Sequence, residues 1–263
     1  IAHDATLTSK SGESQTFAAL EAELSTYEAQ RSLPIHHQLV AKQSAVPSEI
    51  SLLYDGEGVS RIYWNTGGAD LPVAPWTEQF PWLAALGRDC RFRGTIAIRR
   101  DRAGLTGNLQ GTLTDVDLDR LITDQLPHKL SGQARVDLRN VRIESGRLAE
   151  LDASIQAGPG VIGQALIRSV EQEWKLASDS GTANSGSSSL RKYKQLNLDV
   201  RLSSGQLSVA GASTEATELT LLTLQDGTLW QTLPELSFDP ASLIRSALSS
   251  EEANIPATES TRS

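Results

Sequence analysis

Along much of this chain apolar and polar residues alternate one for one, and no other feature constrains the fold as strongly. Ala134, Val136 and Leu138 alternate with Gln133, Arg135, Asp137 and Arg139. Leu151, Ala153, Ile155 and Ala157 alternate with Asp152, Ser154 and Gln156, and Leu196, Leu198, Val200 and Leu202 with Asn197, Asp199 and Arg201. A strand turns successive side chains to opposite faces, so each run predicts one apolar face and one wet face. Strands of this kind belong to antiparallel sheets, because a parallel sheet is covered on both faces and its strands read as unbroken apolar runs.

Glycine-bearing turn signals separate the runs at short intervals. Asp55-Gly56-Glu57-Gly58 lies between residues 50–54 and 60–64, and Arg102-Ala103-Gly104 between 95–99 and 105–113. Ser145-Gly146 splits 141–143 from 148–157, and Ser204-Gly205 splits 196–202 from 206–210. Glycine accepts the positive φ that tight hairpins require. Strand, tight turn and strand, repeated, predict a mainly β fold: a long, curved antiparallel meander rather than βαβ units.

Helical patterning interrupts the meander. Over residues 161–176, Ile162, Leu166, Val170 and Trp174 recur at i+4 with Val161 and Ala165 beside them, opposite Gln164, Arg168, Glu171, Gln172 and Lys175. That spacing, following Pro159, predicts one amphipathic helix. A short helix or a packed loop is expected within 74–86, and short helical turns within 117–125, with Asp117 or Asp119 as N-cap, and over 239–246. Residues 17–29 fit either strand or helix. Residues 1–248 are expected to form a single β-rich domain, with 1–70 as a candidate N-terminal subregion. The Ser/Gly/Asn-rich stretch 178–189 is expected to be a flexible loop and the polar stretch 249–263 a disordered tail.

Composition narrows the function classes. The 263 residues are 39% hydrophobic and 21% charged, enough to fold. Net charge is -8, and the basic stretches 88–102 and 191–194 are short and interrupted. Nucleic-acid binding needs a basic face, so it is not expected. Cys90 is the only cysteine, which rules out an internal disulfide; a small semi-buried role is expected for it. No apolar run approaches the ~18–20 residues of a membrane-crossing helix. The chain has no methionine, so it is expected to start inside a longer gene product or after cleavage, with any leader or anchor removed before Ile1.

Several motifs resolve into structural readings. Gly158-Pro159-Gly160-Val161-Ile162-Gly163 spells the G-x-G-x-x-G of dinucleotide-binding folds, with Asp179 about twenty residues on. The strand before it alternates, whereas the first strand of such a fold is apolar throughout. A turn launching a helix is expected instead. Asp115-Val116-Asp117-Leu118-Asp119 opens like a calcium loop but continues with Arg120 in the glycine place and Leu126 in the closing glutamate place. His3, His36, His37 and His128 are scattered and give neither a metal set nor a triad. Trp64, Trp76, Phe80 and Trp82 are expected in the core or in helix packing, with ligand contact by Trp76, Phe80 or Trp82 as the alternative. A facing carboxylate pair for glycoside chemistry leaves no sequence signature, so a carbohydrate-active enzyme on a β scaffold stays open. No cofactor and no metal are expected.

Residues 94–170 carry a further pattern: Gly94-Thr-Ile-Ala-Ile, Gly104-Leu-Thr-Gly-Asn-Leu-Gln-Gly-Thr-Leu, Asp115-Val-Asp-Leu-Asp-Arg-Leu, Leu130-Ser-Gly-Gln-Ala and Ser145-Gly-Arg-Leu. These glycine-punctuated strands resemble the C-terminal region of AsmA-like bacterial envelope proteins. The helical interruption at 71–86 fits that likeness, and the N-protein of type II secretion has a similar look. The AsmA-like resemblance implies a periplasmic or other extracytoplasmic envelope domain, anchored to a membrane in the full-length protein and concerned with lipid transport or outer-membrane maintenance. It implies a non-enzymatic sheet that binds or scaffolds lipid acyl chains or envelope proteins on an apolar face. The candidate groove is lined by Ile96, Ile98, Leu109, Leu113, Ala134, Val136, Leu138, Leu151, Ala153 and Ile155. The alternative is a structural β module of a secretion or envelope assembly, with a filled core and no ligand. Solvent access to those ten residues separates the two.

Overall fold

The structure is a computed structural model that describes residues 2–8, 14–22, 25–27, 30–39, 48–55, 58–77, 81–124, 126–174, 190–211, 219–224, 227–232 and 236–238. The expected mainly β fold is present as a single open antiparallel sheet. It runs as a meander. β1 (Ala2–Thr8) pairs with β2 (Ser14–Ala22), and β2 and its short continuation β3 (Ser25–Tyr27) pair with β4 (Gln30–Leu39). The described residues within 17–29 thus resolve as strand. Next come β5 (Ser48–Asp55) and β6 (Gly58–Asn65); β6 and β7 (Leu71–Pro72) both lie on β8 (Arg91–Asp101), which pairs onward with β9 (Gly104–Asp117).

Beyond β9, β10 (Leu130–Ser131) and β11 (Gln133–Glu144) form one line, and β12 (Arg147–Ala157) and β13 (Gly160–Gly163) the next. Both β12 and β13 pair with β14 (Leu190–Ser203). β15 (Gln206–Ala210) and β16 (Leu219–Leu224) follow on β14, and β17 (Gly227–Thr232) and β18 (Leu236–Phe238) lie outermost on that side.

The two ends of the sheet differ in their connections. The tight turns at 101–104, 144–147 and 203–206 share one end, here the hairpin end, where Asp55 also pairs with Gly58. Ser145 and Gly146 have φ of 51° and 75°, and Ser204 and Gly205 have 53° and 74°. Two successive positive φ values make the turn whose twist matches the flanking strands. The longer connections β6–β8, β9–β10 and β13–β14 leave from the opposite end and carry the helical elements.

Bulges keep the pattern in phase. Leu113 opposes Val136 and Val116 opposes Ala134, so β9 carries one extra residue there. Asp115 sits at that bulge with φ 58°, a conformation that Asp tolerates better than bulkier residues. On β11, Leu138 opposes Ala153 and Val141 opposes Leu151, with Arg139 and Asn140 accommodated between them. A strict period of two would put Val141 on the wet face; the bulge returns it to the apolar one. Gly94 and Gly111 face each other at φ 154° and 152°, and a Cβ on either would overlap the other strand's backbone. Bulges and glycine kinks are the devices that coil a sheet.

The core lies towards the helical end. Trp64, Leu71, Val73, Phe92, Val116, Leu118, Leu130, Ala134, Ala157, Ile162, Ile167, Tyr193, Leu196, Leu222, Leu224 and Trp230 are buried together. Helical turns at Ala74–Trp76 and Pro81–Leu86 supply Trp76, Leu83 and Leu86 against it. The Trp64 ring lies 5.2 Å from Trp76 and 5.6 Å from Phe92, as expected of packing aromatics; the side chains of Phe80 and Trp82 are outside the described residues. A single wide turn at Asp119–Thr123 follows β9, and the Asp117 carboxylate accepts the Asp119 N–H at 3.0 Å and the Arg120 N–H at 3.4 Å. The aspartates of the calcium-like motif therefore start a helical turn.

The helix, α1 (Gln164–Trp174), is shorter than its spacing predicts. Val161 and Ile162 are claimed by β13, where they pair with Ser131 and Leu130 on one side and with Lys192 and Arg191 on the other. Two ladders outcompete the first helical turn there. Ile167 becomes the most buried helical residue and Ala165 is exposed, while Leu166 and Val170 pack on the core as expected. The glycines of G-x-G-x-x-G serve close backbone approach: a Cβ on Gly158 would meet the Lys194 backbone, and one on Gly160 would meet Ser131. Residues 178–189, 239–246 and 249–263 lie outside the described residues.

Candidate functional site

Directly opposed residues in an antiparallel sheet share a face, so the register traces apolar rows across the strands. The row nearest the helical end is Val116, Ala134, Ala157, Leu196 and Leu222, all buried. Next come Phe92, Leu113, Val136, Ile155 and Leu198, where only Phe92 is fully buried and the others pack against the core. A third row holds Leu138, Ala153, Val200 and Val209, opened at one side by the Gly94–Gly111 pair. A fourth runs Trp64, Ile96, Leu109, Val141, Leu151, Leu202 and Leu207. At the hairpin end lie Ile62, Ile98, Gly107, Ile143 and Leu148.

The ten candidate groove residues all fall on this one face, but they divide. Ala134 and Ala153 are buried, at 3% and 2% exposure. Ile96, Leu113, Val136 and Ile155 are half-buried against the core. Ile98, Leu109, Leu138 and Leu151 are partly exposed and stand outside the core cluster. The face is thus closed under helical elements at one end and, among the described residues, open at the other. Ile143, Leu202 and Leu207 extend the open part and Val141 floors it. Ile143 and Val141 escape strict alternation because the Arg139–Asn140 bulge shifts the phase.

The opposite face is ionic. Arg139 reaches both Asp152 and Asp199 across β11, β12 and β14, at 2.6 and 3.1 Å. Arg135 pairs with Asp137 at 2.8 Å, Arg142 with Glu150 at 2.7 Å and with Glu144, and Arg93 with Asp70 at 3.0 Å. Arg135 chiefly holds the Asp137 carboxyl below its usual range, with help from the Thr112 hydroxyl at 2.7 Å. Arg142 does the same for Glu150, and Lys129 for Asp119. The carboxylates brought together here are neutralised by guanidinium groups, whereas acid–base chemistry needs one carboxyl raised and free. A shallow polar depression on this side, at the β9 bulge and the break before Pro159, includes Arg135, Gln156 and Lys194, with Arg135 already paired.

Burial pushes the Cys90 thiol up to about 12, with Asp115 adding to the effect. No three His, Cys, Asp or Glu side chains gather as a metal set among the described residues. His128 is 5% exposed, and neither ring nitrogen has a partner among the described residues. Comparison of the chain with protein-family models, curated proteins and solved structures finds no match.

Proposed function

We propose that this chain is a non-enzymatic binding domain whose apolar sheet face takes up lipid acyl chains in a bacterial envelope compartment. The observation that carries this reading is the half-covered face: apolar rows continuous over many strands, closed at the helical end and partly exposed around Leu109, Leu138 and Leu151. Leaving such a surface in water is unfavourable, and each methylene laid on it contributes about 0.8 kcal/mol. An acyl chain has the shape and the lack of polar demand that these rows offer. The ionic opposite face suits solvent. The likeness of residues 94–170 to AsmA-like proteins supports an extracytoplasmic envelope setting, lipid transport or outer-membrane maintenance, and a membrane anchor elsewhere in the parent protein.

Native mass spectrometry of the purified chain, with lipid extraction of the same sample, tests the reading. Bound phospholipid or fatty acid is expected, and Leu138→Asp or Leu151→Asp should abolish it with the circular dichroism unchanged. Those positions are chosen because they lie outside the core. A ligand-free mass that persists after lipid is added would leave the structural module as the better account.

A further inference from the structure

We propose that the hairpin end of the sheet is a lip that docks on an anionic phospholipid surface. The β8–β9 and β11–β12 turns lie side by side there. The Gly146 N–H donates to the Leu105 carbonyl at 2.7 Å, and a Cβ on Gly104 would stand 3.0 Å from the Ser145 carbonyl carbon. The two tips therefore form one unit.

Each tip presents a leucine immediately after its turn. Leu105 is 40% exposed and Leu148 is 46% exposed. Leu190, at the other end of β14, is the remaining large apolar residue exposed to this degree among the described residues. Arg100, Arg102 and Arg147 stand on the same two tips, exposed and with no ion pair among the described residues. This contrasts with Arg93, Arg135, Arg139, Arg142 and Arg201, each of which has a carboxylate partner. The column Ile96, Ile98, Arg100 ends in a cation directly opposite Leu105. Exposed apolar side chains at these turns, bordered by cations with no ion pair among the described residues, match the order of a bilayer surface: hydrocarbon below, phosphate above. In a chain of net charge -8 the lip is a local exception, and a negatively charged surface would orient the molecule by it.

This inference goes beyond acyl-chain uptake, because it concerns how the open end of the face meets a membrane and holds whether or not a chain enters. A protein with an acidic pocket would answer the same charges, but two exposed leucines among them favour a surface with hydrocarbon beneath its charge.

The test is co-sedimentation of the chain with phosphatidylcholine vesicles, with and without phosphatidylglycerol. Binding is expected with the anionic vesicles and should weaken as salt rises. The triple variant Arg100→Gln, Arg102→Gln, Arg147→Gln should lower partitioning roughly a hundredfold, from the attraction of a few arginines near such a surface. Leu105→Ser with Leu148→Ser should also release the protein, whereas Leu190→Ser should not, each with its circular dichroism retained. Wild-type protein that stays in solution, or lip variants that bind as well as wild type, would overturn the proposal. So would capture of an acidic protein without vesicle binding. Leu138→Asp, which tests acyl-chain uptake, should leave vesicle docking intact, so the two readings fail separately.

Discussion

Single residues show how tightly the backbone of this sheet is drawn. Gly94 and Gly111 occupy φ values that disfavour a side chain, and each faces backbone where a Cβ would go. Gly94→Ala or Gly111→Ala should therefore cost roughly 2 kcal/mol or more, read from urea unfolding. His128 works in the opposite direction. A buried imidazole with neither nitrogen bonded among the described residues carries a desolvation penalty, so His128→Phe should stabilise the protein by about 1 kcal/mol in the same assay. Cys90 is fully buried and its thiol is pushed up to about 12. The thiolate is the reactive form, so alkylation at pH 8 should be negligible in the folded protein and complete once it is unfolded. A readily labelled native thiol would contradict the packing around β8.

At the scale of elements, the hairpins and the ion pairs fix register. Gly146 has φ 75° beside Ser145 at 51°. Gly146→Val should destabilise the β11–β12 hairpin by about 1–3 kcal/mol, and hydrogen exchange should show the loss spreading from that turn. The ionic face contributes less. Arg139→Ala should cost about 1 kcal/mol or less despite two partners, because these groups are partly exposed. Its pH signature has a definite sign. Asp137, Glu150 and Asp119 titrate below their usual values of 3.8, 4.5 and 3.8 in the folded state. Their stabilisation is fully present above the unfolded values and is lost as pH falls through the lower folded ones. The unfolding midpoint should hold steady near neutrality and drop in acid below those values, and Asp137→Asn should flatten that drop.

For the molecule as a whole, the asymmetry between the two ends of the sheet matters most. Every helical element in the described residues attaches to one end, so burial is deep there and partial at the hairpin end. Hydrogen exchange should accordingly be slowest in the rows around Val116, Ala134 and Leu196 and faster beyond Leu109 and Leu151. The same asymmetry leaves, among the described residues, an apolar surface partly exposed beyond the core.

The sequence by itself determined the antiparallel meander. A period of two with glycine turns calls for strands joined by tight reversals, and Gly146 and Gly205 supply positive φ at two of them. It also determined which face is apolar, since alternation assigns Leu138, Leu151 and Ile155 to one side. It located a helix after Pro159 but not its start, because local spacing cannot register that Val161 and Ile162 gain two ladders from β10 and β14. Nor does alternation tell which apolar residues end under a cap. Ala134 and Leu138 carry the same signal four residues apart, and only the tertiary structure makes one core and leaves the other half-exposed. Val141 and Ile143 were hidden for a related reason: a bulge is a relation between two strands, and one strand's sequence does not contain it. Burial is decided by what packs above a residue, and that partner comes from a distant part of the chain.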